Sequence, residues 1–207
     1  MIDMQRNYNR KEKPEIVISK PSAIEVEKYL KSWKNLKNYQ LQEDALDKLF
    51  FELLPSNEEI SDILLKVATL NDFYSTNIFS VYPVAEHILS LRIDERLKQG
   101  DVTLVNEIQN VTINGVTRKF YSFSSKYCSH HNPKEYPIYD SYVEKVLKYF
   151  RKTDKFFNLK NADLKDYQEF KNIIIAFRGY YGLEEFNLKE IDQYLWQLGK
   201  EYFPNKY

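Results

Sequence analysis

Lys119, Lys126, Cys128, His130, His131 and Asp140 crowd reactive side chains into one short stretch. Asp140 stands immediately before Ser141, where a helical pattern begins. A carboxylate there faces free backbone amides and can stabilise a cation forming in front of it. The same position is that of a helix N-cap, for which aspartate is chosen on structural grounds alone. A nucleophilic lysine must be without its proton, a state that burial or a neighbouring cation favours. Arg118 adjoins Lys119 as such a cation, and Lys126 lies a further turn and more along the same helix. Cys128, His130 and His131 are too close in sequence for all three to converge on one ion. His87 is the only other histidine, so the spacing predicts no metal site, and no cofactor is implied. The lone cysteine excludes an internal disulfide and a four-cysteine cluster, and no activating context for it is visible.

The elements that must position these groups read as helices. Aromatics make up 15% of the chain, with 17 Tyr and 13 Phe against 5 Gly, a composition of long side chains with few breakers. Ser22 with Glu25 and Asn187 with Glu190 have capping-box spacing, and Ser56 with Glu59 repeats it. Apolar residues recur at helical intervals in Leu46, Leu49, Phe50, Leu53 and Leu54. They do so again in Val143, Val146, Leu147 and Phe150, in Phe170, Ile173, Ile174 and Phe177, and in Leu188, Ile191, Leu195 and Leu198. Residues 102–111 fit either helix or strand and are taken as helix, followed by a turn at Asn114-Gly115. The segment 70–78 breaks the apolar rhythm and suits either a corner beside a cleft or a plain loop. The chain is therefore expected to be all-α, with about eight to ten helices. Residues 1–20 form an N-terminal arm, and 21–207 a single domain.

Thirty basic and thirty acidic residues leave no net charge, so no global field draws in nucleic acid or a membrane, and an anionic partner needs a local patch. Lys145, Lys148, Arg151, Lys152 and Lys155 offer either such a strip or a solvated helix face. No apolar run approaches the length that spans a bilayer. Together with the single cysteine, this predicts a cytoplasmic protein without a membrane partner.

The turn at Gly115, the helix after it, and then Pro137-Ile138-Tyr139-Asp140 resemble the helix-hairpin-helix DNA glycosylase superfamily. The spacing of Pro133, Pro137 and Asp140 is similar to that of members recognising 8-oxoguanine and other oxidised purines. The resemblance implies a glycosylase-like helical domain that binds DNA and excises a damaged or modified base. It implies Asp140 as the catalytic aspartate. Ungapped counting back from Pro137 puts the family's nucleophile at Phe120, which makes Lys119 the nucleophile candidate and Lys126 its alternative. It also implies DNA contacts from Asn114, Gly115, Val116, Thr117, Arg118 and Lys126, and a base pocket at Tyr139. Thr117 replaces the family hairpin's second glycine. Two alternatives stay open: a catalytically inactive binding or scaffold protein on the same frame, and a small-molecule or nucleotide pocket in the same cleft.

Overall fold

A computed structural model describes residues 16–158 and 160–204. Among them are ten α-helices and one two-stranded ribbon, so the all-α expectation holds apart from the ribbon. Of the N-terminal arm, 16–20 is extended, with Ile18 buried and its amide donating to the Tyr149 hydroxyl at 3.0 Å. Residues 1–15 of that arm fall outside the described residues.

Helix α1 (Ala23–Trp33) starts where the Ser22 hydroxyl accepts the Glu25 amide. Helix α2 (Lys37–Asp47) buries only Leu46 and runs into a π-helical turn, Lys48–Leu53, where the Leu54 amide reaches back to the Leu49 carbonyl. The wider turn shifts the phase of the apolar face. Leu46 and Phe50 stay inside, while Leu53, expected on the same face, is 59% exposed. Helix α3 (Ile60–Tyr74) has Glu59 in the N-cap position without a side-chain cap, so the expected box of Ser56 with Glu59 is not formed: the helix starts after Glu59, too far along for Ser56 to cap it. Short helices α4 (Val81–Leu91), α5 (Asp94–Lys98) and α6 (Thr103–Ile108) follow.

The expected helix and turn before Gly115 needs correction. After α6 the chain forms strand β1 (Asn110–Ile113), turns at Asn114-Gly115, and returns as antiparallel β2 (Val116–Lys119). Both turn residues have positive φ, 50° and 76°, the geometry a two-residue hairpin requires and Asn-Gly supplies. Alternating Val111, Ile113 and Val116 had no helical rhythm to compete with that turn. The connection from α6 to the next helix is thus a β-ribbon and not a tight loop.

Helix α7 (Tyr121–His131) is buried continuously from Phe123 to His130, which makes it the central rod of the fold. Helices α3, α5 and α6 and the π turn pack around it, and α8 (Ser141–Asp154), α9 (Tyr167–Tyr180) and α10 (Leu188–Tyr202) follow, with α10 packed on α1, α8 and α9. A separate 3₁₀ turn, Asp163–Lys165, precedes α9, and the Asp166 side chain caps that helix by accepting the Glu169 amide. The capping box of Asn187 with Glu190 is present in full. One hydrophobic cluster joins Val26, Phe50, Ile88, Tyr127, Leu147, Phe177 and Leu195.

Two local constraints fix the frame. Helices α8 and α10 meet at Gly199, where a Cβ would lie 2.5 Å from Tyr142 Cβ and 2.7 Å from the Tyr142 carbonyl oxygen. On the other side, fully buried Lys66 donates to the carbonyls of Leu54 and Ser56 and to Asn57 Oδ1, at 3.2, 2.7 and 2.6 Å. Tyr127 of α7 donates to the same Asn57 oxygen at 2.6 Å, which ties the end of the π turn to the central rod.

Each constraint has a measurable consequence. Gly199→Ala should destabilise the protein by about 1–3 kcal/mol in urea unfolding, because backbone clash outweighs the ~1 kcal/mol helix-propensity gain. Burial lowers the Lys66 ammonium from its ordinary 10.5 to about 8. Between those values the unfolded chain holds a proton that the folded chain does not, so stability rises with pH there. The stability of the wild type relative to Lys66→Met should therefore increase from pH 8 towards 10.5. A difference that stays flat, or falls, would contradict the assignment.

Candidate functional site

A cavity of about 670 Å³ opens between α2, the end of α3 with its following loop, α7, the head of α8 and α10. The 70–78 segment is the corner beside this cleft. Tyr74, Ser75, Thr76 and Asn77 line the cavity, and the Asn71 side chain pins the loop through Thr76 and Ile78.

On the cavity floor is Lys126, at 2% exposure. It sits one turn after Ser122 on α7, and its Nζ donates to Ser122 Oγ at 2.6 Å, to the Tyr139 carbonyl at 3.3 Å and to Asp140 Oδ2 at 3.4 Å. Burial pushes this ammonium below the ordinary lysine range, against the opposing pull of Asp140 and Asp192. Asp140 caps α8 through its other oxygen, Oδ1, which accepts the Tyr142 amide at 2.9 Å. Capping and ion pairing are therefore simultaneous, one oxygen for each.

Asp192 of α10 completes the floor at 7% exposure, and its Oδ1 has no hydrogen-bond partner. Burial, followed by the Asp140 charge, raises its carboxyl well above the usual range, while Lys126 and Lys189 pull the other way. One turn on, Trp196 meets Trp33 and Tyr39 edge to face at 5.6 and 5.0 Å. Lys200 lies over the rings of Trp196 and Tyr39 at 4.6 and 4.8 Å. Glu43 accepts from the Trp33 indole at 3.1 Å and pairs with Lys189. His130 Nε2 meets the Tyr74 hydroxyl at 2.9 Å, and burial lowers this imidazole to about 3, which keeps it neutral at physiological pH.

Lys126 and Asp140 are brought together, but Lys119 is not. It ends β2 on the exposed ribbon, and Asn114, Gly115, Val116, Thr117 and Arg118 are exposed with it; none lines the cavity. The ribbon carries Lys119 away from the helix start that the resemblance implied, and the paired lysine is the one further along α7. Tyr139 reaches the site differently from expected. Its ring packs at 4.5 Å on Tyr121 and edge-on to Phe170 at 5.5 Å, and its hydroxyl is engaged by Glu144 and Lys165. The main chain of Tyr139, not its ring, meets Lys126. The Cys128 thiol is fully buried and raised by desolvation, and His131 packs on Phe50. Among the described residues no three potential ligands cluster around a metal position.

Asp192, Trp196, Trp33, Tyr39 and Glu43 are not among the site residues expected from the sequence. One signal was there: Asp192 interrupts the inward stripe of α10 between Ile191 and Leu195, where a carboxylate costs free energy unless it has a task.

The HI_0787_N family model, described as an N-terminal domain, matches residues 25–135. The chain belongs to this family. An uncharacterized protein of Haemophilus influenzae is 54% identical over 146 residues, 70% of each chain. No solved structure matches. The family match includes Glu43, Lys126 and His130, while Asp140, Lys189, Asp192 and Trp196 lie beyond it. The cavity is thus assembled from the matched region and the segment after it.

Capping and ion pairing can be separated by substitution. Asn caps helices as well as Asp, so Asp140→Asn would be nearly neutral if the cap were its whole role. With a buried ammonium left unpaired, it should instead cost about 1–3 kcal/mol in urea unfolding. Most of that cost should vanish when Asp140→Asn is made in a Lys126→Met background.

Proposed function

We propose that this protein binds DNA and releases a damaged or modified base by cleaving its N-glycosidic bond, with Lys126 and Asp140 as the reacting pair. The observation that carries this reading is Lys126 Nζ held 3.4 Å from Asp140 Oδ2 on the floor of an aromatic-lined cavity. Burial favours the neutral amine, the form that attacks. As its nitrogen bonds to C1′ of the sugar, the bond from C1′ to the base breaks and the base departs with the electron pair. The carboxylate of Asp140 stabilises the positive charge that builds on the sugar. Trp33, Tyr39 and Trp196 give the cavity an aromatic wall against which a base turned out of the duplex would pack. Arg118 and Lys119 on the exposed ribbon remain candidates for phosphate contacts in this reading.

A second reading takes the cavity as a site for a free nucleoside or a molecule of similar size. It is favoured by the charge of the lining, where Glu43, Asp47, Asp140 and Asp192 face Lys126, Lys189 and Lys200. A groove that holds phosphates is ordinarily dominated by cations.

Duplexes carrying a panel of damaged bases, treated with borohydride, decide between the two. The first reading expects base release and a trapped protein–DNA adduct. The adduct should be lost in Lys126→Met, and base release should be reduced about 100-fold or more in Asp140→Asn. Absence of release, adduct and low-salt duplex affinity would sink it. Calorimetric binding of free nucleosides in that case would establish the second.

A further inference from the structure

A base that departs with the electron pair must gain a proton, and neither member of the reacting pair is placed to give it. Lys126 attacks only after losing its own proton, and the two oxygens of Asp140 are occupied by Lys126 and the Tyr142 amide. His130 is neutral, for the reason already given.

Asp192 differs from Asp140 in one respect that matters. Its Oδ1 is buried and unpartnered, and the residue forms part of the cavity wall. An ionised carboxylate without a donor is costly in such a place, whereas a carboxylic acid retains its proton and offers it to whatever enters. The charged and titratable groups around it include Asp140 from the head of α8, Lys126 from α7, Glu43 from α2, Tyr74 from α3, Tyr167 from α9 and Lys189 on its own helix. The cations among them are already engaged: Lys126 by Asp140, and Lys189 by Glu43. Two carboxyl groups therefore share one floor, one compensated and one not, an arrangement that separates base from acid.

We propose that Asp192 is the general acid of this site, donating its proton to the departing base. The inference rests on the N-glycosidic reading above. In the step, the bond from Lys126 nitrogen to C1′ forms and the bond from C1′ to the base breaks. The O–H bond of Asp192 breaks with them, and its proton moves to the nitrogen that held the sugar or to an atom conjugated with it. A neutral amine, a neutral acid and a neutral nucleotide base become an alkylammonium, a carboxylate and a neutral free base, so charge and protons balance. The new carboxylate then lies beside the new cation. Trp196, one turn along α10, lines the same cavity as this acid.

The test has two arms. In the first, carbon-13 NMR of the intact wild-type protein follows the side-chain carboxyl assigned to Asp192 by through-bond correlation; it should remain protonated at neutral pH. In the second, Asp192→Asn, which keeps the shape but has no proton to transfer, is compared with wild type on two duplexes. One carries an ordinary damaged base, the other a base that leaves readily without protonation. Release of the ordinary base should fall about 100-fold or more, the size of a lost general acid, while the readily leaving base should be released at close to the wild-type rate. The alkaline limb of the wild-type pH profile should disappear with the ordinary base. An ionised Asp192 in an active wild-type protein overturns this inference alone, as does an equal effect of the substitution on both duplexes or no effect on either. A wild-type protein that releases neither base overturns the N-glycosidic reading and this inference with it.

Discussion

An ammonium group at 2% exposure is a severe demand on a helical protein, and the arrangement around Lys126 is the answer to it. Its three acceptors come from two places only: Ser122 on the same helix, and the two consecutive residues Tyr139 and Asp140. The chain must therefore leave α7, turn through Asn132 to Ile138, and come back alongside that helix before α8 can start. Ser125 secures the return by accepting the Tyr139 amide at 3.0 Å, and Tyr167 holds it from outside by donating to the Pro137 carbonyl at 2.8 Å. The short connection is thus fixed from both sides by hydrogen bonds to otherwise unsatisfied backbone groups.

The relation between the two carboxyl groups depends on a different contact. Asp140 belongs to the head of α8 and Asp192 to α10, and the separation of these helices is set where Tyr142 covers Gly199. Glycine is a poor helix former, so its presence inside α10 is explained by this approach and not by local preference. A larger residue would move one acid relative to the other without touching either.

Much of this was legible in the sequence, and the failures have identifiable physical sources. The capping pair Asn187 and Glu190 and the inward faces of α8, α9 and α10 followed from spacing, because long amphipathic helices state their periodicity clearly. The ribbon was missed because Asn114-Gly115 marks a turn without saying what it joins; four-residue strands carry too few alternations to outvote a neighbouring helix. Leu53 was misplaced because periodicity assumes a regular helix and the π turn is not one. In the candidate site, Asp140 was visible as a cap with an available charge. Lys126 was undervalued because lysine is ordinarily a surface residue, and its burial is a tertiary fact. Asp192 lies 52 residues beyond Asp140, and nothing local connects them.

Helix α2 forms one wall of the cavity with a single buried residue, Leu46. It has no side-chain cap, and its first residue is Lys37, whose charge opposes the helix dipole. What holds it down comes from α1 and α10: Glu43 to Trp33 and Lys189, Tyr39 to Lys200, and the Tyr39 ring packed on Trp33 and Trp196. The position of this cavity wall therefore depends on side chains lent by the neighbouring helices more than on burial of its own residues. The ion pair and hydrogen bonds that place this wall are weakened by salt, to which the apolar core beneath it is indifferent.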